Sequence, residues 1–186
     1  MIESLTVTLP PALFLVVLFG GGAMLRRRSI DIDGTAPIYR PVYLAAKYSI
    51  IVLWAATACQ SWGLRLSPIA VPAPVAHTGM GIWLFGFTLM FVGRFGLGDS
   101  FRIGSAKEAT RLRVNGLFRF SRNPMYVGVY ATLTGATLYT LNPVVLLVAA
   151  FVIAVHHRIV LAEEEHLRGL FGQEYTDYCC RVRRYL

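Results

Sequence analysis

From Asn123 to Val155 the chain carries no Lys, Arg, Asp or Glu over 33 consecutive residues, and no other feature constrains the fold as strongly. As one helix this stretch would run roughly 50 Å, against a hydrocarbon core about 30 Å thick. Divided in two, it makes a pair of short spans. Asn142-Pro143 stands in its middle. Proline lacks the N–H that a helix interior needs and disfavours a helical residue before it. The stretch therefore reads as a helical hairpin that turns at this dipeptide.

Three further apolar blocks precede it: Leu5 to Leu25, Val42 to Trp62 and Val75 to Gly93. Each has the length of a membrane-crossing helix, about 20 residues. Pro10 and Pro11 are expected in the first turns of the first block, and Lys47 can snorkel to the interface near the start of the second. Polar or Pro-rich connections separate the blocks, and the longest, Arg94 to Asn123, carries seven Lys/Arg. Composition agrees: 55% of residues are hydrophobic and only 15% charged, whereas soluble domains average about 25% charged. The net charge of +8 in so apolar a chain points to loops facing anionic lipid and away from nucleic acid. The three cysteines form no Cys-x-x-Cys and no His/Cys ligand set, so no metal site is expected.

Charge then orients the chain. Five spans with the N-terminus outside place 17 of the 18 Lys/Arg on the cytosolic side and leave Arg65 alone outside. Four spans would move the tail arginines outside and split them 12 to 6, so the positive-inside rule selects five, with the C-terminus cytosolic. The tail has a helical pattern, with Val160, Leu167, Leu170, Phe171, Tyr175 and Tyr178 recurring at three, four or seven. The expected fold is all-α: a polytopic membrane protein with five transmembrane helices and a cytosolic C-terminal amphipathic helix. Residues 1–96 form three spans with their loops, and 97–186 form a core of cytosolic loop, hairpin and tail helix.

This topology brings two unusual segments to one side. One ends in "SRNPMYVGVY", Ser121 to Tyr130; the other is "AEEEHLRGLFGQEY", Ala162 to Tyr175. Each has an ordinary reading. Asn123 caps a helix and Pro124 fits its first turn. Tyr126 suits the interfacial belt, Arg158 can snorkel, and the glutamates can be solvated.

Their order, however, resembles the isoprenylcysteine carboxyl methyltransferase family and the related phospholipid methyltransferases. The family's Arg-His-Pro-x-Tyr-x-Gly is "RNPMYVG" here, and its Asn-Pro hairpin turn is Asn142-Pro143. An arginine, a glutamate cluster, Phe-Gly-x-x-Tyr-x-x-Tyr and Arg-Val follow, as Arg158, "EEE", "FGQEYTDY" and Arg181-Val182. The likeness covers roughly Leu97 to Leu186. It implies S-adenosylmethionine as methyl donor, bound at the cytosolic membrane face. It assigns the cofactor to Thr110, Arg111, Leu112 and Arg113, to Phe118, Asn123, Pro124 and Tyr126, and to Glu163 or Glu164. By the same likeness Arg158 holds the carboxylate of the acceptor. Phe118 stands where the family has Tyr, Asn123 where it has His, and Arg158 about one residue upstream of the usual arginine.

Methyl transfer from a sulfonium needs positioning more than a protein nucleophile, which accords with a sequence that shows no nucleophilic triad. The implied function is methylation of a lipophilic small-molecule or lipid-modified acceptor, a carboxyl group first. A phospholipid amine, a nicotinamide-dependent membrane reductase with the same C-terminal architecture, and a non-enzymatic protein keeping the scaffold remain alternatives.

Overall fold

The structure, a computed structural model, describes residues 1–27, 37–97 and 112–186. Five long helices follow one another: α1 (Ile2–Arg27), α2 (Arg40–Ser61), α3 (Ala73–Leu97), α4 (Pro124–Thr140) and α5 (Pro143–Phe171). A short 3₁₀ turn, Gly116–Arg119, precedes α4, and α6 (Gln173–Arg181) follows α5. No strand occurs among the described residues. Among the described residues four helices, α1, α2, α3 and α5, are long and apolar enough to cross a membrane. At 17 residues, α4 reaches roughly 26 Å.

The helices alternate in direction, as hydrogen bonds at one end show. There the Ser4 hydroxyl donates to the Ser61 carbonyl at 2.7 Å, joining the start of α1 to the end of α2. The Tyr139 hydroxyl donates to Glu3 at 2.7 Å, and Gln60 Nε2 to the Tyr139 carbonyl at 2.8 Å. The α4–α5 turn closes the same end. Leu141 takes a left-handed conformation, and Asn142 Oδ1 accepts from the N–H groups of Val144 and Val145. Its amide also donates to the Leu66 carbonyl. The hairpin expected at Asn142-Pro143 is thus present.

Pro10 and Pro11 fall differently from expectation. Because α1 starts at Ile2, both lie inside it and not in its first turn. Pro11 has no N–H for the Val7 carbonyl, and a bare carbonyl in an apolar interior is costly. Trp83 Nε1 from α3 donates to that carbonyl at 3.2 Å. The defect left by the proline becomes an interhelical tie, beside Phe14, Trp54 and Phe87, whose rings stack edge-on or tilted at 4.8–6.2 Å.

The closest packing is between α3 and α4. Gly79, Gly86 and Gly93 recur every seven residues along α3. A Cβ on Gly86 would lie 2.7 Å from the Gly128 carbonyl, and one on Gly135 would lie 2.7 Å from the Gly79 carbonyl. These backbones touch where small residues allow it. The short helix α4 is held against α3 along one glycine seam, and its far end is fixed where Met125 meets Gly93.

Candidate active site at the α4–α5 open end

At the end opposite the hairpin turn, the start of α4 meets the charged end of α5. Asn123 occupies the N-cap position of α4, yet its side chain makes no capping bond. Its Nδ2 instead donates to Glu164 Oε1 at 3.0 Å and to the Arg184 carbonyl at 3.2 Å. Arg122 approaches the same carboxylate as a fork, Nε to Oε1 and Nη2 to Oε2, both at 3.2 Å. Arg184 Nε completes the set at 3.0 Å from Oε2. Glu164 is 3% exposed. A buried carboxylate persists only when paired and hydrogen-bonded, and here four donors fill the roughly four acceptor positions that it has.

Arg122 is also the hinge of a wider clasp. Its Nη1 donates to the carbonyls of Cys179 and Val182, and its backbone N–H to the Arg183 carbonyl at 2.9 Å. Burial works against its charge, but the hydrogen bonds and charge of Glu164 outweigh that, so its pKa rises above the ordinary value. Ser121 Oγ donates to the Arg184 carbonyl at 3.3 Å. Gly172, at φ +54°, breaks the chain between α5 and α6 and lets the tail fold back. There Tyr178 donates to the Phe118 carbonyl at 2.6 Å, fixing the 3₁₀ turn against α6. Burial pushes the Tyr178 hydroxyl up to about 12, which keeps it a donor.

One turn further into α4, the Tyr126 hydroxyl lies 3.0 Å from both oxygens of Glu163. The Tyr126 ring lies beside His156, centroids 5.8 Å apart. His156 is buried, and its Nδ1 donates to the Val152 carbonyl at 2.9 Å, because a carbonyl can only accept. His157, its neighbour, is half-buried and bonded through Nδ1 to the Tyr185 hydroxyl at 2.7 Å.

The structure thus brings Asn123, Pro124, Tyr126, Glu163 and Glu164 together. Phe118 is buried next to them, in the turn that Tyr178 holds. Leu112 is half-buried and Arg113 exposed, and Thr110 and Arg111 lie outside the described residues. Arg158 is not brought to the cluster. It is exposed, and at about 100° per residue it lies roughly 120–140° around α5 from Glu163 and Glu164. Sequence reasoning took Arg122 only as the first residue of the family motif and gave no role to Arg184, Tyr185 or Tyr130. The available signal was the basic run "RVRRYL", complementary in charge to the glutamates.

Chemically, the two glutamates differ. Glu164 is saturated. Glu163 accepts, among the described residues, from one phenol shared by both oxygens, and so keeps acceptor capacity for a cationic or N–H-bearing group. No group of three or more His, Cys, Asp or Glu that could hold a metal ion occurs among the described residues.

The profile of the phospholipid methyltransferase family matches residues 73–174, more than half of the chain. The match begins at the start of α3 and includes the glycine seam. The chain is also 33% identical, over 112 residues, to the protein-S-isoprenylcysteine O-methyltransferases of Mus musculus and Rattus norvegicus. That alignment covers 58% of this chain but only 40% and 39% of those proteins, so the chain matches well under half of their length.

Proposed function

Since the chain belongs to the phospholipid methyltransferase family, we propose that it is an integral-membrane methyltransferase that takes its methyl from S-adenosylmethionine and delivers it to a lipophilic acceptor. One observation carries this reading: the half-filled Glu163 carboxylate beside Tyr126, set against the saturated Glu164 at the mouth of the α4–α5 hairpin. The donor is a cation with an amino group, and when bound it supplies an already activated methyl. Glu163 and Tyr126 fit its polar end. Glu164, with Arg122 and Asn123, keeps the start of α4 and the charged end of α5 in register, so that Glu163 faces Tyr126. Phe118 completes the cofactor surface in this reading together with Leu112 and Arg113, the described part of the segment that the resemblance assigns, and Pro124 sets the first turn of α4.

Little acid–base work falls to the protein if the acceptor is a carboxylate, which is ionised at neutral pH. The isoprenylcysteine enzymes aligned above are named for such an O-methylation. The exposed position of Arg158, away from the glutamates, favours a second reading. In it the acceptor is a phospholipid amine, which must lose a proton before or during transfer. The positive-inside rule supports a cytosolic position for the basic end of the molecule and for the site with it.

Calorimetry with S-adenosylhomocysteine tests the cofactor site. Glu163→Gln and Tyr126→Ala are expected to weaken binding by at least about 1.5 kcal/mol each, the scale of a charged or buried hydrogen bond. Unchanged affinity in folded variants sinks the placement. Transfer of labelled methyl to an S-isoprenyl cysteine or to ethanolamine-headgroup vesicles separates the two acceptors.

A further inference from the structure

Beyond α6 the chain runs back across the site. Residues 182–185 are pinned along their length. The carbonyls of Val182 and Arg183 accept from Arg122, that of Arg184 accepts from Ser121 and Asn123, and the Arg184 guanidinium reaches Glu164. The next side chain, Tyr185, bridges the two helices of the hairpin. Its hydroxyl is 2.7 Å from His157 Nδ1 on α5 and 3.4 Å from the Tyr130 hydroxyl on α4. Its ring lies 5.5 Å from that of Tyr130 and 6.0 Å from that of His157. The phospholipid methyltransferase profile ends at residue 174, before the tail itself.

The helical register says what this bridge does. His157 and Glu164 are seven residues apart and share one face of α5, as Tyr126 and Tyr130, four apart, share one face of α4. His157 therefore lies roughly 10 Å from Glu164 along the helix, toward the apolar interior. A lipophilic acceptor reaching a donor at Glu163 comes from that apolar side. His157 and Tyr130, joined through Tyr185, are polar side chains on that side of the site. His156 is committed to its own helix backbone, whereas His157 is held by a side chain from the tail. A hydrogen bond at Nδ1 fixes the ring plane and, with it, the direction of Nε2.

We propose that residues 182–185 form a wall of the acceptor channel and that Tyr185 is a positioning residue, holding the His157 imidazole so that its Nε2 meets the polar group that receives the methyl. This rests on the methyltransferase reading above and extends it to the tail beyond residue 174, where the profile ends.

The test is a double-mutant cycle with the full chain in detergent or vesicles, using Tyr185→Phe and His157→Phe. The phenylalanine at 185 keeps the ring against Tyr130 and removes only the hydroxyl. On whichever acceptor the parent methylates, Y185F is expected to lower kcat about tenfold, the scale of one lost hydrogen bond. S-adenosylhomocysteine affinity and Tm should stay near the parent values. In the H157F background, Y185F should have no additional effect, because residues that act as a unit do not add. Full activity of Y185F, multiplicative losses in the cycle, or a parallel fall in cofactor affinity overturns the positioning role alone. A parent that methylates neither acceptor class overturns the enzyme reading and this inference with it.

Discussion

Two Asn-Pro pairs show how the same local sequence serves different ends. Asn142 caps α5 with Oδ1 and ties the turn to Leu66 with Nδ2. Asn123 holds the equivalent position on α4 and makes no side-chain cap; its amide is turned so that Nδ2 donates to Glu164 and to the Arg184 carbonyl. One primary amide serves two acceptors there, a geometry for which its two N–H groups suffice. Asn123→Ala is therefore expected to loosen the tail and not the helix start, at a cost of about 1.5–3 kcal/mol for hydrogen bonds that include a charged acceptor. Hydrogen exchange followed by mass spectrometry should show residues 182–186 losing protection in N123A and keeping it in N142A. Tail protection equal to the parent's in N123A contradicts this account. The motif around Asn123 was legible in the sequence, but the direction of its side chain was not. Its partners lie 41 and 61 residues away, and local propensity favours the cap. The tail arginines were hidden for the same reason: a basic run next to a membrane has an adequate explanation in lipid phosphate.

At the level of the helices, the apolar blocks and the hairpin turn followed from hydropathy and from proline. Boundaries did not: α1 begins before its prolines, and α5 runs 29 residues, well past its uncharged part. The glycines of the third block could be read as allowing either close approach or a gap for lateral entry of the acceptor. The structure shows close approach at Gly79, Gly86 and Gly93, open space at Gly81, and Phe118 near Gly96; Gly98 lies outside the described residues. Spacing alone cannot say which face of a helix meets a neighbour, and so could not choose. The α3–α4 seam is closed, and an acceptor entering sideways must use another one. Gly128→Ala would place a methyl 2.7 Å from the Gly86 carbonyl, a backbone atom that cannot swing away. Overpacking of this kind costs about 1–3 kcal/mol. Thermal unfolding in detergent should show a clear loss of Tm for G128A and none for Gly81→Ala, whose added methyl meets nothing. Equal Tm values for the two would mean that the helices part freely.

Across the whole molecule, polar groups are sorted to the two ends of an apolar bundle, and the ends differ in kind. The hairpin-turn end is held by neutral or acidic groups, Ser4, Glu3, Gln60, Tyr139 and Asn142. The other end carries the guanidinium–carboxylate clasp of Arg122, Arg184 and Glu164. The positive-inside rule predicts that this cation-rich end faces the cytosol, because moving Lys and Arg across the bilayer is costly and the inner leaflet is anionic. The full length of α5, roughly 44 Å, exceeds the hydrocarbon core and carries Glu163 to Glu165 beyond it. With all five helices crossing, residues 141–142 and residue 186 would lie on opposite sides, although α4 is barely long enough to cross. The close seam with α3 supplies what length does not, since a short helix pressed against a long one need not satisfy the bilayer alone. Reporter fusions decide this. One inserted at Asn142 should be active only outside and one joined after Leu186 only in the cytosol. Two reporters active on the same side would mean that α4 and α5 do not both cross, and the clasp would then have to form with α4 re-entering from the cytosolic face.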